Sequence, residues 1–394
     1  MNILQISAND SSVGGASSIA IKIKKELDKR EIENSYFCGL KTSNDQNIFS
    51  IPKKKIDMIK SILLADDMNY FKTDFLLNTE QYKKADIIHC HNLHGWYFNL
   101  NTLQKMCSEK KVIWTFHDMW PITPHCCHAF DGKVKNGFYE CPSLKIYPSL
   151  LWHNEKKLIN TKENIYSNSN FHIVSPSQWL VDKIKGSILN DKPLTLINNG
   201  IDTNFFSPGD MNQSRNKLQL PLDKKIILFV ANGGLSNTLK GGKYLMEVKK
   251  SFENNKNIIF ICIGGDKQEV KDNMMFFKTT SKPEFLREFL RASDLILFPS
   301  LADNFPLVLL EAAACGLPIV AFDVGGVKEI FENKLGGYIA KYGQTEDLIN
   351  GINFLLGKNN DEIKDINNYL RKTTIEKFND INMVSKYIEL YNSL

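Results

Sequence analysis

The sequence predicts an α/β fold of two doubly wound, Rossmann-like domains that face each other across a cleft. The length of 394 residues suits two or three domains. The apolar runs along the chain are continuous rather than alternating, which is typical of parallel strands buried on both faces. Helical segments separate these runs in the βαβ rhythm of a doubly wound sheet.

Ten short apolar runs are predicted to be the strands of the two sheets. Small or polar residues follow each run, and helical stretches separate most of the runs. The runs are Ile3–Ser7, Ile87–Cys90, Val112–Phe116, His172–Ser175, Leu194–Ile197, Ile226–Ala231, Ile258–Ile263, Leu295–Pro299, Ile319–Phe322 and Gly337–Ile339. Because ligands of open α/β sheets bind at the carboxyl ends of the strands, the residues after these runs are the candidate site residues.

A loop rich in turn formers predicts the domain boundary. Asn198–Asp202 and Ser207–Asp210 interrupt the alternation of strands and helices. We therefore expect one domain over residues 1–200 and a second over 201–373. The segment 374–394 carries apolar residues at helical spacing, and we expect it to form one amphipathic helix that packs back on the first domain.

Composition excludes a disordered, collagen-like or membrane-embedded protein. Hydrophobic residues make up 43% of the chain and charged residues 24%, and acidic residues are interspersed with the basic ones at a net charge of +5. We therefore expect no nucleic-acid partner. The first seven residues lack a basic region and a cleavage site, so we expect a cytoplasmic protein without a signal peptide, whose eight cysteines are reduced.

The strongest motif is the segment Pro299–Pro318. A buried strand ends there, a polar loop with Asp303 follows, and the next helix runs through Glu311 to a stop at Gly316. The N-terminus of such a helix presents backbone N–H groups to an anion. Asp303 and Glu311 are then placed to contact different parts of one extended ligand. The alternative is that Asp303 only caps the helix and Glu311 only pairs with a lysine.

This segment resembles the glutamate–seven residues–glutamate signature of the retaining, GT-B-fold glycosyltransferases of family 4. Its Asp-Asn-Phe-Pro form is similar to that of a branch that builds bacterial envelope polysaccharides. The resemblance implies that Glu311 binds the ribose hydroxyls of a nucleotide sugar and that Asp303 contacts the donor sugar. It also implies that the backbone amides of Asn304, Phe305 and Leu307 contact the diphosphate.

The loop after the strand of residues 226–231 contains a lysine among glycines. Lys240 supplies charge and Gly241 allows close approach, a combination that suits a phosphate. In the family that the chain resembles, an arginine and a lysine stand in this region, and Lys240 matches the second. Leu235 stands near the place of the arginine, for which Arg215 and Lys243 are the candidate substitutes.

Three further loops are expected to contribute to the site. The resemblance implies that His117 lies beside the anomeric carbon, binds the sugar and steadies developing positive charge through nearby carbonyls. Asp118 is expected to orient His117 or to contact the acceptor. Gly14 and Gly15 follow the first strand and let the backbone approach a diphosphate or an acceptor. His91 is expected to line the acceptor side or to cap a helix.

Two other features leave alternatives open. His125–His128 offers four soft ligands with Cys141 downstream, but consecutive residues cannot all face one ion, so we predict no metal and an acceptor-side loop with packed cysteines. The role of this cluster stays open. Lys53–Lys55 is either a solvated loop or a weak attraction for anionic lipid or an anionic acceptor.

The resemblance implies a hexosyl- or N-acetylhexosaminyltransferase that retains the anomeric configuration and needs no cofactor. The donor would be a UDP- or GDP-sugar, with UDP favoured, and the acceptor a glycan or a lipid-linked acceptor. The product would belong to a capsule, O-antigen or exopolysaccharide, with peripheral contact at the cytoplasmic face of the inner membrane as an option. Alternatives are an epimerase or a phosphorylase of the same fold, or a non-catalytic partner that binds sugar nucleotides.

Overall fold

The chain divides into two compact units, each built on a seven-stranded sheet. A computed structural model describes residues 1–10, 14–130, 132–279 and 282–394. The first unit contains Met1–Asn198 and Met383–Leu394, and the second contains Asn199–Asn382. The prediction of two Rossmann-like domains with parallel sheets is confirmed.

The sheet of the first unit is entirely parallel, with a small separate hairpin beside it. Its strands and the hairpin are β1 (Asn2–Asn9), β2 (Glu33–Leu40), β3 (Ile48–Ser50), β4 (Ile87–Cys90), β5 (Lys111–Thr115), β6 (Val134–Lys135), β7 (Phe138–Tyr139), β8 (His172–Ser175) and β9 (Leu194–Leu196). The strand order is β3-β2-β1-β4-β5-β8-β9, and β6 pairs only with β7. All four residues of β4 are buried, as expected for a central parallel strand covered on both faces.

The described residues before Asn198 form six α-helices. They are α1 (Gly15–Lys29), α2 (Lys55–Leu63), α3 (Glu80–Lys84), α4 (Asn101–Glu109), α5 (Glu155–Ser167) and α6 (Gln178–Lys185). In α1, Ile19, Ile23 and Leu27 recur every four residues and are fully buried, so one stripe of the helix packs on the sheet. The helix α2 departs from this pattern and is described below.

The second unit repeats the architecture. Its strands are β10 (Lys225–Val230), β11 (Ile258–Gly265), β12 (Glu269–Lys271), β13 (Met274–Lys278), β14 (Leu295–Phe298), β15 (Ile319–Phe322) and β16 (Gly337–Ala340). They are ordered β12-β13-β11-β10-β14-β15-β16, and β12 alone runs antiparallel. The helices are α7 (Met211–Leu218), α8 (Gly242–Ser251), α9 (Pro283–Ala292), α10 (Leu307–Ala314), α11 (Val327–Ile330), α12 (Thr345–Leu356) and α13 (Asn360–Lys377).

The end of the chain forms two helices, so the prediction of one helix over 374–394 is wrong. The helix α13 ends at Lys377 and α14 runs over Asp380–Ser393. Between them, the Asn379 side chain accepts a hydrogen bond from the Ile381 N–H at 2.9 Å and starts the second helix. The Phe378 carbonyl leaves the helical pattern and accepts from the Ile201 N–H at 2.8 Å.

The residues of α14 from Met383 onward belong to the first unit. Tyr387 and Tyr391 are buried there, and their hydroxyls lie 3.1 Å from Thr115 Oγ1 and 2.7 Å from His89 Nδ1. Among the helices that the structure describes, none has the length and apolar character needed to cross a membrane.

Candidate functional site

In each sheet, the strand order reverses at one place, and most of the predicted site residues follow the strands at that place. The reversal lies between β1 and β4 in the first unit and between β10 and β14 in the second. Neighbouring strands whose connections leave in opposite directions open a crevice at their carboxyl ends. The loop after β1 leads to Gly14, and His91 follows β4. Lys240 lies in the loop after β10, and Asp303 in the loop after β14.

Lys240 and Asp303 form an ion pair across the reversal of the second sheet. Lys240 Nζ lies 2.8 Å from Asp303 Oδ1 and 2.7 Å from Oδ2, so it donates to both oxygens. Ser300 Oγ donates to Oδ2 at 2.6 Å and fixes the carboxylate from the side of β14. Both charged side chains remain partly exposed, at 28% and 16%. The pair is therefore preformed and open to a ligand that carries both an anion and hydroxyl groups.

Gly241 allows the lysine loop to lie against the end of β14. Its φ of +76° is in the left-handed region, and a Cβ atom at this position would lie 1.8 Å from the Pro299 carbonyl oxygen. The Leu301 N–H donates to the Leu239 carbonyl at 2.8 Å, which ties the two loops together. Any larger residue at 241 would separate Lys240 from Asp303.

The loop from Asp303 to Phe305 is held through its carbonyl groups. The Asn304 carbonyl accepts from the Gly326 N–H at 2.7 Å, and the Phe305 carbonyl accepts from the Asn199 amide at 3.2 Å. In a trans peptide the N–H points opposite to the preceding carbonyl, so the Phe305 N–H points away from Gly326.

The helix α10 starts directly after this loop, at Leu307, and Glu311 lies in its second turn, half-buried. The order of loop, helix start and carboxylate is the one that the sequence predicts for Asp303, Asn304, Phe305 and Glu311. The predicted stop is confirmed as well, because Gly316 follows the helix with a φ of +75°.

In the first unit, Gln5, His91 and His117 form a hydrogen-bonded chain. His91 Nε2 lies 3.2 Å from Gln5 Oε1, and His91 Nδ1 lies 3.0 Å from His117 Nε2. With the Gln5 oxygen facing it, His91 donates from Nε2 and accepts at Nδ1. His117 then donates from Nε2, so its Nδ1 carries the lone pair.

Burial keeps these histidines neutral. It lowers the pKa of His117 to about 4, although the nearby Asp118 carboxylate raises it. Burial also lowers the pKa of His89 to about 3 and that of His91 well below its ordinary value. His117 is therefore an uncharged hydrogen-bonding group over the whole neutral pH range.

We expect this histidine cluster to make the first unit sensitive to acid. His89 and His91 are fully buried, and their folded-state pKa values lie below the unfolded value of about 6.5. The unfolded state then binds more protons below pH ~6.5, so stability is full above that pH and falls on acidification. Each histidine contributes up to ~1.4 kcal/mol per pH unit.

The check is the free energy of unfolding in urea at pH 7.5 and at pH 5, where a clearly lower value is predicted at pH 5. His153 is 81% exposed, so His153→Gln is the matched control and should keep the same loss. Equal stability of the wild type at the two pH values would contradict the prediction.

Asp118 is engaged with His94 and with the backbone. Its Oδ2 lies 2.8 Å from His94 Nε2, and its Oδ1 accepts from the Trp120 N–H at 2.9 Å. Burial alone would raise the pKa of Asp118, but His94 and these hydrogen bonds lower it to about 2. Asp118 therefore orients His94, a partner that the sequence did not suggest, and its proposed contact with the acceptor remains a prediction.

His94, Asp118 and Cys127 also form a group with a possible metal-binding geometry. One donor atom from each lies within 4.8 Å of the others, and Cys127 Sγ is 3.5 Å from His94 Nε2. The same nitrogen faces both the thiol and the carboxylate, and imidazole, thiolate and carboxylate are all zinc ligands. In the described part of the chain, this is the one such group.

The side chains of His125–His128 do not converge on one point, as their consecutive positions in the sequence predict. His125 Nδ1 lies 2.8 Å from the Pro148 carbonyl, and Cys126 is joined to Cys141 by a disulfide. The expectation that all cysteines are reduced is therefore wrong for this pair. It rested on the compartment alone, whereas the fold brings the two Cα atoms to 5.9 Å, within disulfide range.

The comparison with known proteins decides the family. The model described as "Glycosyltransferase Family 4" matches residues 13–205, and that described as "Glycosyl transferases group 1" matches residues 210–373. The chain belongs to glycosyltransferase family 4. It is 24% identical over 362 residues to WcaC of Escherichia coli (strain K12), which is named for colanic acid biosynthesis, with 86% of each chain covered.

Solved structures with low sequence identity share the fold of this family 4 glycosyltransferase. Sucrose-phosphate synthase from Thermosynechococcus elongatus is 15% identical, with a TM-score of 0.73 and coverage of 100% of this chain and 99% of the other. Anabaena Alr3699/HepE in complex with UDP-glucose is also 15% identical, with a TM-score of 0.70 and full coverage of both chains. GT-B is therefore the fold of the glycosyltransferase.

Arg215 does not replace the arginine that is missing from the loop of Lys240. This guanidinium is buried, pairs with Asp294 at 2.8 Å and donates to the Ala292 carbonyl at 2.9 Å. It stabilises the fold of the second unit. Lys243 is 77% exposed and lies near Glu247, so it is the remaining candidate of the two.

The glycine loop is placed only in part. Ser11–Val13 lie outside the described residues, while Gly14 precedes α1 with a φ of +107° and Gly15 begins it. Among the described residues, nothing would lie within 4 Å of a Cβ atom at either glycine. The first turn of α1 lies at the carboxyl end of β1, where the sequence predicts a ligand contact.

Several residues that shape the candidate site were missed by sequence reasoning. Asn199, which donates to the Phe305 carbonyl, lies in the turn-rich segment for which the sequence predicts only a domain boundary. Gly325 faces Asp303 so closely that a Cβ atom would lie 1.8 Å from the Asp303 carbonyl oxygen. Gln5 is a polar residue inside a buried strand, and this was a usable signal, because a buried amide needs a partner.

Proposed function

We propose that the glycosyltransferase retains the anomeric configuration and transfers a sugar from a nucleotide-diphosphate sugar to a glycan or lipid-linked acceptor. UDP is the favoured nucleotide, and envelope polysaccharide is the proposed product. The family, the UDP-glucose complex of HepE and the name of WcaC support this proposal. The observation that carries it is the ion pair between Lys240 and Asp303 at the reversal of the second sheet.

This ion pair suits both ends of a donor's sugar–phosphate bond. In the free protein, the two side chains neutralise each other. A diphosphate offers Lys240 a stronger anion, and the donor sugar offers hydroxyl groups to Asp303. Both new contacts are charge-assisted hydrogen bonds, which are stronger than neutral ones. The donor therefore replaces one ion pair by two interactions and keeps both charges satisfied.

The helix α10 and the residues just before it are assigned to the diphosphate and the ribose of the donor. The Phe305 and Leu307 N–H groups, at and just before its first turn, are assigned to the diphosphate, where the helix dipole adds to the attraction. The carboxylate of Glu311 has two oxygens that accept hydrogen bonds from the two ribose hydroxyls. The second unit is thus assigned to the nucleotide.

In the proposed reaction, the bond between the anomeric carbon and the phosphate oxygen breaks, and the acceptor oxygen forms its bond on the same face of the sugar. The proton of the acceptor hydroxyl passes to the leaving phosphate oxygen, so the atoms and charges balance. Lys240 stabilises the negative charge that develops on the diphosphate. His117, which burial keeps neutral, is assigned a contact with the sugar near the anomeric carbon, where positive charge develops in the transition state.

A panel of UDP-, GDP- and ADP-sugars tests the proposed function. Thermal shift reports binding, since a ligand that binds only the folded state raises the melting temperature, and slow donor hydrolysis reports bond cleavage. We expect both signals with a UDP-sugar and weaker ones with GDP- and ADP-sugars. Binding without hydrolysis or transfer to any glycan would favour a non-catalytic partner, and no shift with any donor would contradict the proposal.

We expect activity to survive treatment with EDTA, because Lys240 and the amides of α10 supply the positive potential that a metal would otherwise give the diphosphate. The measurement is the transfer rate before and after dialysis against the chelator. Loss of activity that manganese or magnesium restores would contradict this prediction. Loss that zinc alone restores would assign a structural metal to His94, Asp118 and Cys127.

A further inference from the structure

The helix α2 exposes apolar residues and buries polar ones, the reverse of an ordinary surface helix. Asp57 and Ser61 are buried, while Ile56, Ile59 and Leu63 are 51–61% exposed. Surface helices of globular proteins turn their apolar stripe to the core. An exposed apolar stripe on a helix therefore indicates a surface that is covered by something else.

The exposed residues form one continuous seam. Positions 56, 59 and 63 are spaced by three and four residues, so they share a face of the helix. Asp57 and Ser61, four residues apart, lie on the opposite face, where Ser61 Oγ donates to the Asp66 carbonyl at 2.7 Å. The polar side anchors the helix to the protein, and the apolar side faces outward.

A neighbouring loop extends this surface. Trp152 Nε1 donates to the Leu63 carbonyl at 2.9 Å and fixes the loop at the end of α2. Leu151 is 63% exposed and Trp152 46%. Asn154 donates to the carbonyls of Leu64 and Ala65 and secures the same junction. The helix and this loop are called the α2 surface below.

The α2 surface is positively charged. Lys53, Lys54, Lys55 and Lys60 are exposed on the helix or directly before it, and Asp57, the acidic residue of this stretch, is buried. The charged groups that this stretch presents to solvent are therefore all cationic. Apolar side chains, a tryptophan and lysines on one face are the combination by which helices lie in the interface of an anionic bilayer.

We propose that the α2 surface docks the protein on a membrane that contains anionic lipids. The lysines meet the phosphate headgroups, and Ile59, Leu63 and Trp152 enter the boundary between headgroups and acyl chains. This inference goes beyond the proposed function and does not depend on it, because it rests on the first unit alone. The lysine charge favours a lipid surface over a second copy of the chain, whose identical cations would repel.

The test is co-sedimentation of the full chain with vesicles of phosphatidylglycerol and phosphatidylcholine, and with vesicles of phosphatidylcholine alone. We expect binding to the anionic vesicles and its loss at high salt, because each lysine near an anionic surface contributes a factor of about five. Lys54→Gln with Lys55→Gln should weaken binding about 25-fold. Neither side chain caps the helix, so the fold is expected to survive.

Ile59→Ser with Leu63→Ser should weaken binding about tenfold or more through lost apolar contact. Leu222→Ser with Leu335→Ser is the matched control, since these second-unit leucines are 52% and 48% exposed, and it should bind as the wild type does. The proposal is overturned if the control variant loses as much vesicle binding as Ile59→Ser with Leu63→Ser. It is equally overturned if the wild type binds anionic and neutral vesicles to the same extent. It is also overturned if the wild type forms a dimer that Ile59→Ser with Leu63→Ser dissociates while vesicles bind neither protein.

Discussion

Replacing Glu311 by alanine is expected to raise the KM for the donor strongly and to lower kcat little. The proposed contacts are hydrogen bonds from two ribose hydroxyls to one carboxylate, and hydrogen bonds to a charged group contribute about 1.5–3 kcal/mol each. The nucleotide keeps these contacts while the sugar–phosphate bond breaks. The substitution therefore weakens binding of the ground state and of the transition state equally, which raises KM and leaves kcat nearly unchanged. At least a tenfold rise in KM is expected from the loss of one such bond.

The measurement is steady-state kinetics together with the affinity for free UDP. Glu253→Ala is the matched control, because Glu253 is an exposed carboxylate of the same unit, and it should leave both values unchanged. Glu311 would not be a ribose ligand if Glu311→Ala bound UDP as the wild type does.

Replacing His117 by alanine is expected to lower kcat by about 10²-fold, the usual loss when one preorganised electrostatic contact is removed, with a small change in donor affinity. His117 lies in the first unit, whereas the nucleotide contacts are assigned to the second. A group near the anomeric carbon acts when charge develops there, so its loss should appear in the transition state.

The pH profile and the melting temperature separate this role from a structural one. Because burial holds the pKa of His117 at about 4, its ionisation should not appear in the kcat profile between pH 6 and 8. His153→Ala, at an exposed histidine, is the control for activity. A His117→Ala enzyme that melts earlier but keeps full kcat in its folded fraction would remove His117 from the proposed site.

Most strands of the two sheets could be predicted from the sequence, including β9 and β16 at the edges, whereas β2 and β3 of the first sheet and β12 and β13 of the second could not. β4 and β15 are continuous apolar runs, so the predicted and observed bounds agree. β2 begins with Glu33, Asn34 and Ser35, which hide the buried half that follows. β13 consists of methionine, phenylalanine and lysine without a β-branched residue, the class that marks strands best.

The break at the end of the chain had a different cause. Phe378 and Ile381 continue the helical spacing of apolar residues across the junction between α13 and α14, so the pattern alone does not show it. The break is imposed by contacts with residues 200 and 201, far away in sequence. A Cβ atom at Gly200 would lie 2.5 Å from the Asp380 Cα, which shows how closely the two segments approach.

The candidate site could likewise be predicted only in part. The sequence predicts which loops carry Lys240 and Asp303, because both follow buried strands. Their pairing needs the strand order, which brings β10 next to β14 although 63 residues separate the two side chains. The chain from Gln5 to His117 and the partnership of Asp118 with His94 likewise arise from neighbouring strands. Periodicity shows that such strands exist but not which ones pair.

The ion pair of the second sheet offers the most direct test of the proposed donor site. UDP and UDP-glucose are titrated calorimetrically into the wild type, Lys240→Ala and Asp303→Ala, with Lys256→Ala, at an exposed lysine of the same unit, as the control. If Lys240 holds the diphosphate and Asp303 holds the sugar, Lys240→Ala should weaken both ligands about tenfold or more. Asp303→Ala should weaken UDP-glucose alone and bind UDP at least as tightly as the wild type, because its lysine is released. Wild-type affinity of Lys240→Ala for UDP, or equal losses of both ligands in Asp303→Ala, would contradict the proposed site.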